Sequence, residues 1–284
     1  MANILRGTVA PNLPISPTQF NQIYEDQYSN VLRLYFNQID NFTTNLTNPN
    51  TGGGALLSFP YGAFHQDGTT TLSANMTNVS TAPISVASTA GFFSSGYLLI
   101  ESEIIQYTGI TATTFTGITR GVLGTTNVAH TAGVSITETQ GTGSSTTIGI
   151  LKINNTDYSN GVTISATDNT RMVFTYPGLY NVQFSAQLLN YTTTDDNVTI
   201  WNRLNGVDIP FSAGIEQVNS KHGSAPGSRI ASWNFYQYFN TNDYLQICFT
   251  SDSGNSVIAT YPAGTSPVHP VSPALILTAQ FVSA

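Results

Sequence analysis

Residues 197–212 read NVTIWNRLNGVDIPFS. Two strand candidates, Asn197–Leu204 and Val207–Ile209, meet there at Asn205-Gly206. This dipeptide is the strongest short hairpin signal, because both positions of the favoured two-residue turn need positive φ. On the N-terminal side the strand candidates are Gly161–Ala166, Arg171–Tyr176 and Leu179–Leu189, with Pro177-Gly178 as the turn before the last. On the C-terminal side they are Ser228–Phe239, Tyr244–Ser251, Ser256–Tyr261 and Ala274–Ser283, with a turn at Asn242-Asp243. Short strands at regular spacing, with no helix between them, predict a jelly-roll β-sandwich over residues 148–284.

The strand Trp233–Phe239 carries Trp233, Phe235 and Phe239 on one parity and Tyr236 and Tyr238 on the other. A period of two places large rings on both faces of a sheet. One face is then core, and the other needs a partner sheet or a neighbouring subunit. The alternative is a strand buried on both sides within one chain.

Residues 138–147 are rich in Gly, Ser and Thr and read as a linker. Before them, residues 84–137 read as a small antiparallel β module of short strands parted by Gly and Ser turns. Residues 48–83, with Gly52-Gly53-Gly54, read as a linker or irregular segment. Residues 1–47 form an arm and a helix. Ser16 as N-cap, Pro17 at the first helical position and Gln19 three residues after Ser16 predict where that helix starts. Phe20, Tyr24, Tyr28, Val31, Tyr35, Ile39 and Phe42 then recur at about 3.67 residues per turn, a straight apolar stripe. The arm holds Leu5, Arg6 and Leu13 among prolines. With the stripe it forms a candidate anchor onto a larger body: Leu5, Arg6, Leu13, Phe20, Tyr24, Tyr28, Val31, Tyr35 and Ile39. The fold class expected is therefore mainly β, with an N-terminal α-helix, a small antiparallel β module and a C-terminal jelly-roll sandwich.

Hydrophobic residues make up 40% of the 284, enough for a real core. Charged residues are 8%, against about 25% in ordinary soluble domains. The net charge is −7 and the only lysines are Lys152 and Lys221, so phosphate neutralisation cannot drive nucleic-acid binding. No apolar run approaches a membrane span, and residues 1–14 lack a signal-peptide core. The one cysteine, Cys248, excludes an intrachain disulfide and sits in an apolar run as a buried thiol.

Four stretches of the last domain, YPGLYNVQFSAQL (176–188), NVTIWNRLNGVDIPFS (197–212), ASWNFYQYFNTNDYLQICF (231–249) and VHPVSPALILTAQFV (268–282), resemble the TNF/complement-head type of jelly roll as found on phage virion proteins. The stretch LLIESEIIQYTGI (98–110), followed by FTGITRGVLGTTNVAH (115–130), resembles a module recurrent in the same class. The opening PISP..F...Y.D.....LRLYFNQIDN also resembles their N-termini. The resemblance implies a structural protein of a tailed-bacteriophage virion, assembled in the bacterial cytoplasm and built as a homotrimer. For that trimer Tyr180, Trp201, Trp233, Phe235, Tyr236 and Tyr238 are the candidate interface. The implied partners are other virion proteins of capsid, neck or tail and a host surface glycan or receptor, with no nucleic acid and no membrane insertion.

No cofactor and no metal is expected. The histidines His65, His130, His222 and His269 are scattered without ligand spacing. Asp195-Asp196 could hold Ca²⁺ with backbone carbonyls, but a plain turn is the simpler reading. Glu101, Glu103, Arg120 and His130 suggest acid/base chemistry, yet nothing in their spacing pairs them. Three readings result. A fibre or surface appendage anchored by its N-terminus, with a jelly-roll head that contacts the host, comes first. A capsid decoration protein (cement or head fibre) is the alternative. A glycan-degrading tailspike, which needs paired carboxylates in a groove, is the least favoured, so the expectation is no enzyme.

Overall fold

The structure, a computed structural model, describes residues 11–15, 17–47, 59–141 and 145–284. The chain falls into two compact units, 1–60 and 61–284. Leu5 and Arg6 of the expected anchor lie outside the described residues.

In the first unit the helix spans Gln22–Thr47, starting five residues after the predicted Pro17. Asn21 is the cap that sets it: its Oδ1 accepts the Tyr24 N–H at 3.2 Å, and its carbonyl accepts the Glu25 N–H, also at 3.2 Å. Glu25 adds negative charge at the positive helix start. Phe20 therefore lies before the helix, exposed. The predicted stripe exists: Tyr24, Tyr28, Val31, Tyr35, Ile39 and Phe42 are half-covered, with Leu32 beside them, and none of the helix side chains described is fully buried. Tyr24 and Tyr28 stack at 6.0 Å, and the Tyr24 hydroxyl donates to the Pro14 carbonyl. Leu13 is exposed.

The second unit is a two-sheet antiparallel β-sandwich with a smaller β module attached. The first sheet runs Asn155–Asn160, Tyr61–Gln66, Leu275–Ser283, Gly178–Asn190, Val257–Ala259, Ser135–Gly141, Gly96–Ile100 and Glu103–Tyr107. Gly227–Phe239 pairs along the whole length of Gly178–Asn190, from Gly178 opposite Phe239 to Asn190 opposite Gly227. The second sheet is Val162–Ile164, Met172–Phe174, Tyr244–Ser251, Asp196–Leu204 and Val207–Asp208, with Gly214–Val218 on Asp196–Leu204 and Gly149–Ile150 on Tyr244–Ser251.

The decisive hairpin forms as read. Leu204 faces Val207 across Asn205 (φ 51°) and Gly206 (φ 83°), the pair of positive angles that a type I′ turn demands. The alternating residues of both sheets meet in one core, where Phe174 stacks on Phe239 with centroids 3.6 Å apart. Tyr180 stands edge-on to both rings and to Phe281. Gly178 passes so close to the final strand that an added Cβ would sit 2.6 Å from the Ser283 carbonyl.

The expected linkers differ from what forms. Within 48–83, Tyr61–Gln66 is a strand that pairs with Asn155–Asn160 and meets Leu275, and Thr69–Thr71 pairs with Ser135–Thr137. Within 138–147, the first residues complete the strand Ser135–Gly141. That strand joins Gly96–Ile100 of the module to Val257–Ala259 of the sandwich. Threonine is favoured in strands and the segment finds partners on both edges here, so composition alone misreads it as coil. The module has its own core around Leu98, Ile100, Ile105, Tyr107, Phe115 and Ile136.

Candidate functional site

Gly227–Phe239 alternates as its parity predicts. Ala231, Trp233, Phe235 and Phe239 turn toward the core, while Ile230, Tyr236 and Tyr238 are exposed. Beside Tyr236 in register lies Asn181, and beyond it Gln280. Tyr238 faces Leu179, and Ile276 and Val282 are exposed on the far strand. By parity the outward residues of these three strands also include Ser228, Ser232, Asn234, Gln183, Ser185, Gln187 and Thr278, so no charged side chain interrupts the face. Among the described residues no strand hydrogen-bonds to the outer edge of Gly227–Phe239, which leaves thirteen residues of free edge. Along this edge strand the one charged residue is Arg229, paired with Glu216 at 3.2 Å, and from Ile230 to Phe239 no charge stands beside the exposed rings, a surface that proteins normally cover or break with charge.

The six expected interface residues therefore separate. Tyr236 and Tyr238 stand on this face. Trp233 and Phe235 belong to the core side of the same strand and are half-buried against the core. Tyr180 is corrected outright: it is completely enclosed, and its hydroxyl donates to the Tyr176 carbonyl at 2.9 Å. Its parity with Val182, Phe184 and Ala186 turns it inward. Trp201 sits on the outside of the opposite sheet, across from Cys248, with Nε1 donating to Asp208 at 2.8 Å. A second apolar patch lies at that sheet's edge: Val207, Ile215 and Phe211, the last fully exposed and held at φ 63°.

The structure brings together the four residues that sequence spacing left unpaired. Arg120 donates from Nε to Glu103 Oε1 (2.5 Å) and from an Nη to Oε2 (2.6 Å), and to the carbonyls of Thr77, Ser80 and Val128. Backbone N–H groups of Gly121 and Val128 also donate to Glu103. His130 lies between carboxylates, Nε2 2.9 Å from Glu103 and Nδ1 2.7 Å from Glu101. Burial pushes the Glu103 carboxyl up, but the hydrogen bonds from Arg120, Val128 and His130 outweigh it and hold the carboxyl below its ordinary value. Glu101 reaches His130 from a hairpin turn at φ 54°, a backbone state disfavoured for a non-glycine residue. The signal that could have found the cluster is parity. Glu103 shares its face with Ile105 and Tyr107, and a buried carboxylate requires a partner. With both oxygens of Glu103 saturated, the network pins the loops 77–80 and 120–130 to the module.

The Asp195-Asp196 loop is likewise occupied by donors. Asp196 accepts from Ser253 N–H and from the hydroxyls of Ser253 and Ser256, and Asp195 accepts from Ser220 N–H. Carboxylates facing N–H and O–H donors are poorly set to receive a cation. Among the described residues no group of three or more His, Cys, Asp or Glu is arranged to hold a metal ion, and no helix is long and apolar enough to cross a membrane. Cys248 is buried and its thiol is pushed up to about 11 by that burial, the opposite of an activated nucleophile.

Comparison of the chain with models of known protein families and with characterised protein sequences finds no match.

Proposed function

We propose that this chain is a non-enzymatic structural protein of a tailed-phage virion: a homotrimeric fibre or surface appendage, fastened by its N-terminal arm and helix and headed by the sandwich. The observation that carries the reading is the uncharged face of Tyr236, Tyr238, Ile230, Ile276 and Val282 beside a free strand edge. In a chain with 8% charged residues such a face suits permanent cover by another copy. The patch of Val207, Phe211 and Ile215 is different from that face. Two distinct apolar patches on one sandwich favour a head-to-tail contact that closes into a ring over a self-complementary pair. The half-covered helix stripe supports an anchoring role, since a 26-residue helix with none of its described side chains buried gains its stability from what packs on it.

Light scattering on the purified chain tests the assembly, with the mass of three chains expected and a monomer at micromolar concentration overturning it. Gold label on a C-terminal tag, imaged on intact particles, tests the place. Label at neck, tail or vertices supports the appendage. Label over the whole head surface assigns the same trimer to capsid decoration.

A further inference from the structure

The strand Ser135–Gly141 is the joint between module and sandwich, and at its centre Glu138 is completely buried. Among the described residues no cation lies within salt-bridge distance of it. Around it the Tyr107 hydroxyl lies 3.0 Å from Oε1, 2.9 Å from Oε2 and 2.9 Å from the Phe93 carbonyl, and the Phe93 N–H donates to Oε2 at 3.3 Å. A phenol has one proton, yet here it faces three acceptors. The set closes only if the carboxyl carries a proton. Glu138 then donates to Tyr107, Tyr107 donates to Phe93 O, and Phe93 N–H returns to Glu138.

We propose that the joint between module and sandwich is a proton-operated fastener, closed while Glu138 is a neutral carboxylic acid and loosened when it ionises. Ionisation releases the proton to water and leaves a buried carboxylate that claims the Tyr107 proton, so the Phe93 carbonyl loses its donor and the segment Phe92–Gly96 is freed. A cavity of about 240 Å³ adjoins the site and admits water, lined by Phe93, Gly96, Tyr97, Glu138, Gly141 and Lys152 among others. The titratable groups facing Glu138 are Tyr107, from Glu103–Tyr107, and Lys152 across the cavity, while Tyr97 lies on the other face of Gly96–Ile100 with Leu99. Lys152 is the one cation among them. Its ammonium now lies 4.9 Å from the centre of the Phe93 ring and donates to the Ser95 carbonyl at 3.3 Å. Both are contacts it can leave for a carboxylate. Burial pushes the Glu138 carboxyl up to about 8 against the weaker pull of the Tyr107 and Phe93 hydrogen bonds and of Lys152, which places the change in a mildly alkaline medium.

The proposal is independent of the virion reading. Infrared difference spectra of the wild-type chain against Glu138→Gln test it directly. A protonated-carboxyl C=O band is expected at neutral pH and is expected to vanish above about pH 9. Its absence at neutral pH overturns the proposal. Hydrogen exchange at Phe93, Ser94 and Ser95 is expected to rise by up to about tenfold per pH unit beyond base catalysis, in the wild type only. Equal rises in Glu138→Gln also overturn it. If that variant does not fold, carboxyl ¹³C shifts of the wild type decide: a glutamate titrating near 8 is expected, and titration of every glutamate in the ordinary range refutes the fastener.

Discussion

Arg120 and Glu103 lie side by side, joined by two nearly parallel hydrogen bonds of 2.5 and 2.6 Å with both side chains enclosed. Removing one partner strands the other charge in the interior. Arg120→Ala is therefore expected to destabilise the second unit by about 3–5 kcal/mol. Lysine cannot make the two-pronged contact and also reach Thr77, Ser80 and Val128, so Arg120→Lys is expected to recover less than half. Replacing both, as Glu103→Leu with Arg120→Met, should cost less than Arg120→Ala alone. Chemical denaturation of the three variants checks the order, and a double variant worse than the single contradicts it.

Stability should pass through a maximum with pH, because two buried carboxyls act with opposite sign. The folded state holds Glu103 below its ordinary value. Its contribution is therefore full above the ordinary carboxylate range and is lost as pH falls through the folded value. Glu138 is raised to about 8, so the folded chain binds the extra proton. Its contribution is full below the ordinary value and fades as pH rises from about 4.3 toward 8. Denaturation midpoints measured from below the ordinary carboxylate range to above about pH 8 are expected to fall on both sides for wild type, with the alkaline slope flattened in Glu138→Gln. A wild-type profile that climbs steadily to pH 9 contradicts the assignment.

Asp196 is expected to act as a pin for its loop. Asp196→Ala removes the acceptor for one backbone N–H and two hydroxyls at an enclosed site, so a loss of about 2–3 kcal/mol is expected. Thermal melts of the wild type should not shift when Ca²⁺ is added or chelated. A rise of several degrees with millimolar Ca²⁺ would restore the cation reading.

What was legible in the sequence was whatever a local rule decides. Asn205-Gly206 fixes its hairpin because few dipeptides accept two positive φ values, and parity alone sorts Trp233, Phe235 and Phe239 from Tyr236 and Tyr238. The helix stripe follows from period, but its start does not: Ser16-Pro17 and Asn21 are both acceptable caps, and Asn21 is the one used. The Glu103 network was hidden because Glu101, Glu103, Arg120 and His130 lie up to 29 residues apart and meet through loops rather than through any repeating pattern. Tyr180 stands among the expected interface residues, although its parity with Val182 and Phe184 already places it inside. Residues 138–141 read as linker in the sequence because the partners of their strand, Gly96–Ile100 and Val257–Ala259, are distant in sequence.

The separation of Tyr180 from Tyr236 and Tyr238 gives the last test, because fold and assembly should respond to different tyrosines. Tyr180→Phe keeps the ring packed on Phe174, Phe239 and Phe281 and deletes only the bond to the Tyr176 carbonyl. It should cost about 1 kcal/mol and leave the oligomer mass unchanged. Tyr236→Lys with Tyr238→Lys places two charges on a face that otherwise has none. If three copies share that face, the repulsion and desolvation should convert the trimer to monomers while the circular dichroism spectrum stays that of the folded sandwich. Phe211→Ser is expected to weaken the trimer as well, because the ring stands fully exposed at a disfavoured φ, uncovered by the described residues. Paired measurements of mass and unfolding midpoint separate the cases. A Tyr236/Tyr238 variant that remains trimeric would move the interface elsewhere, and a Tyr180→Phe chain that dissociates would return that residue to it.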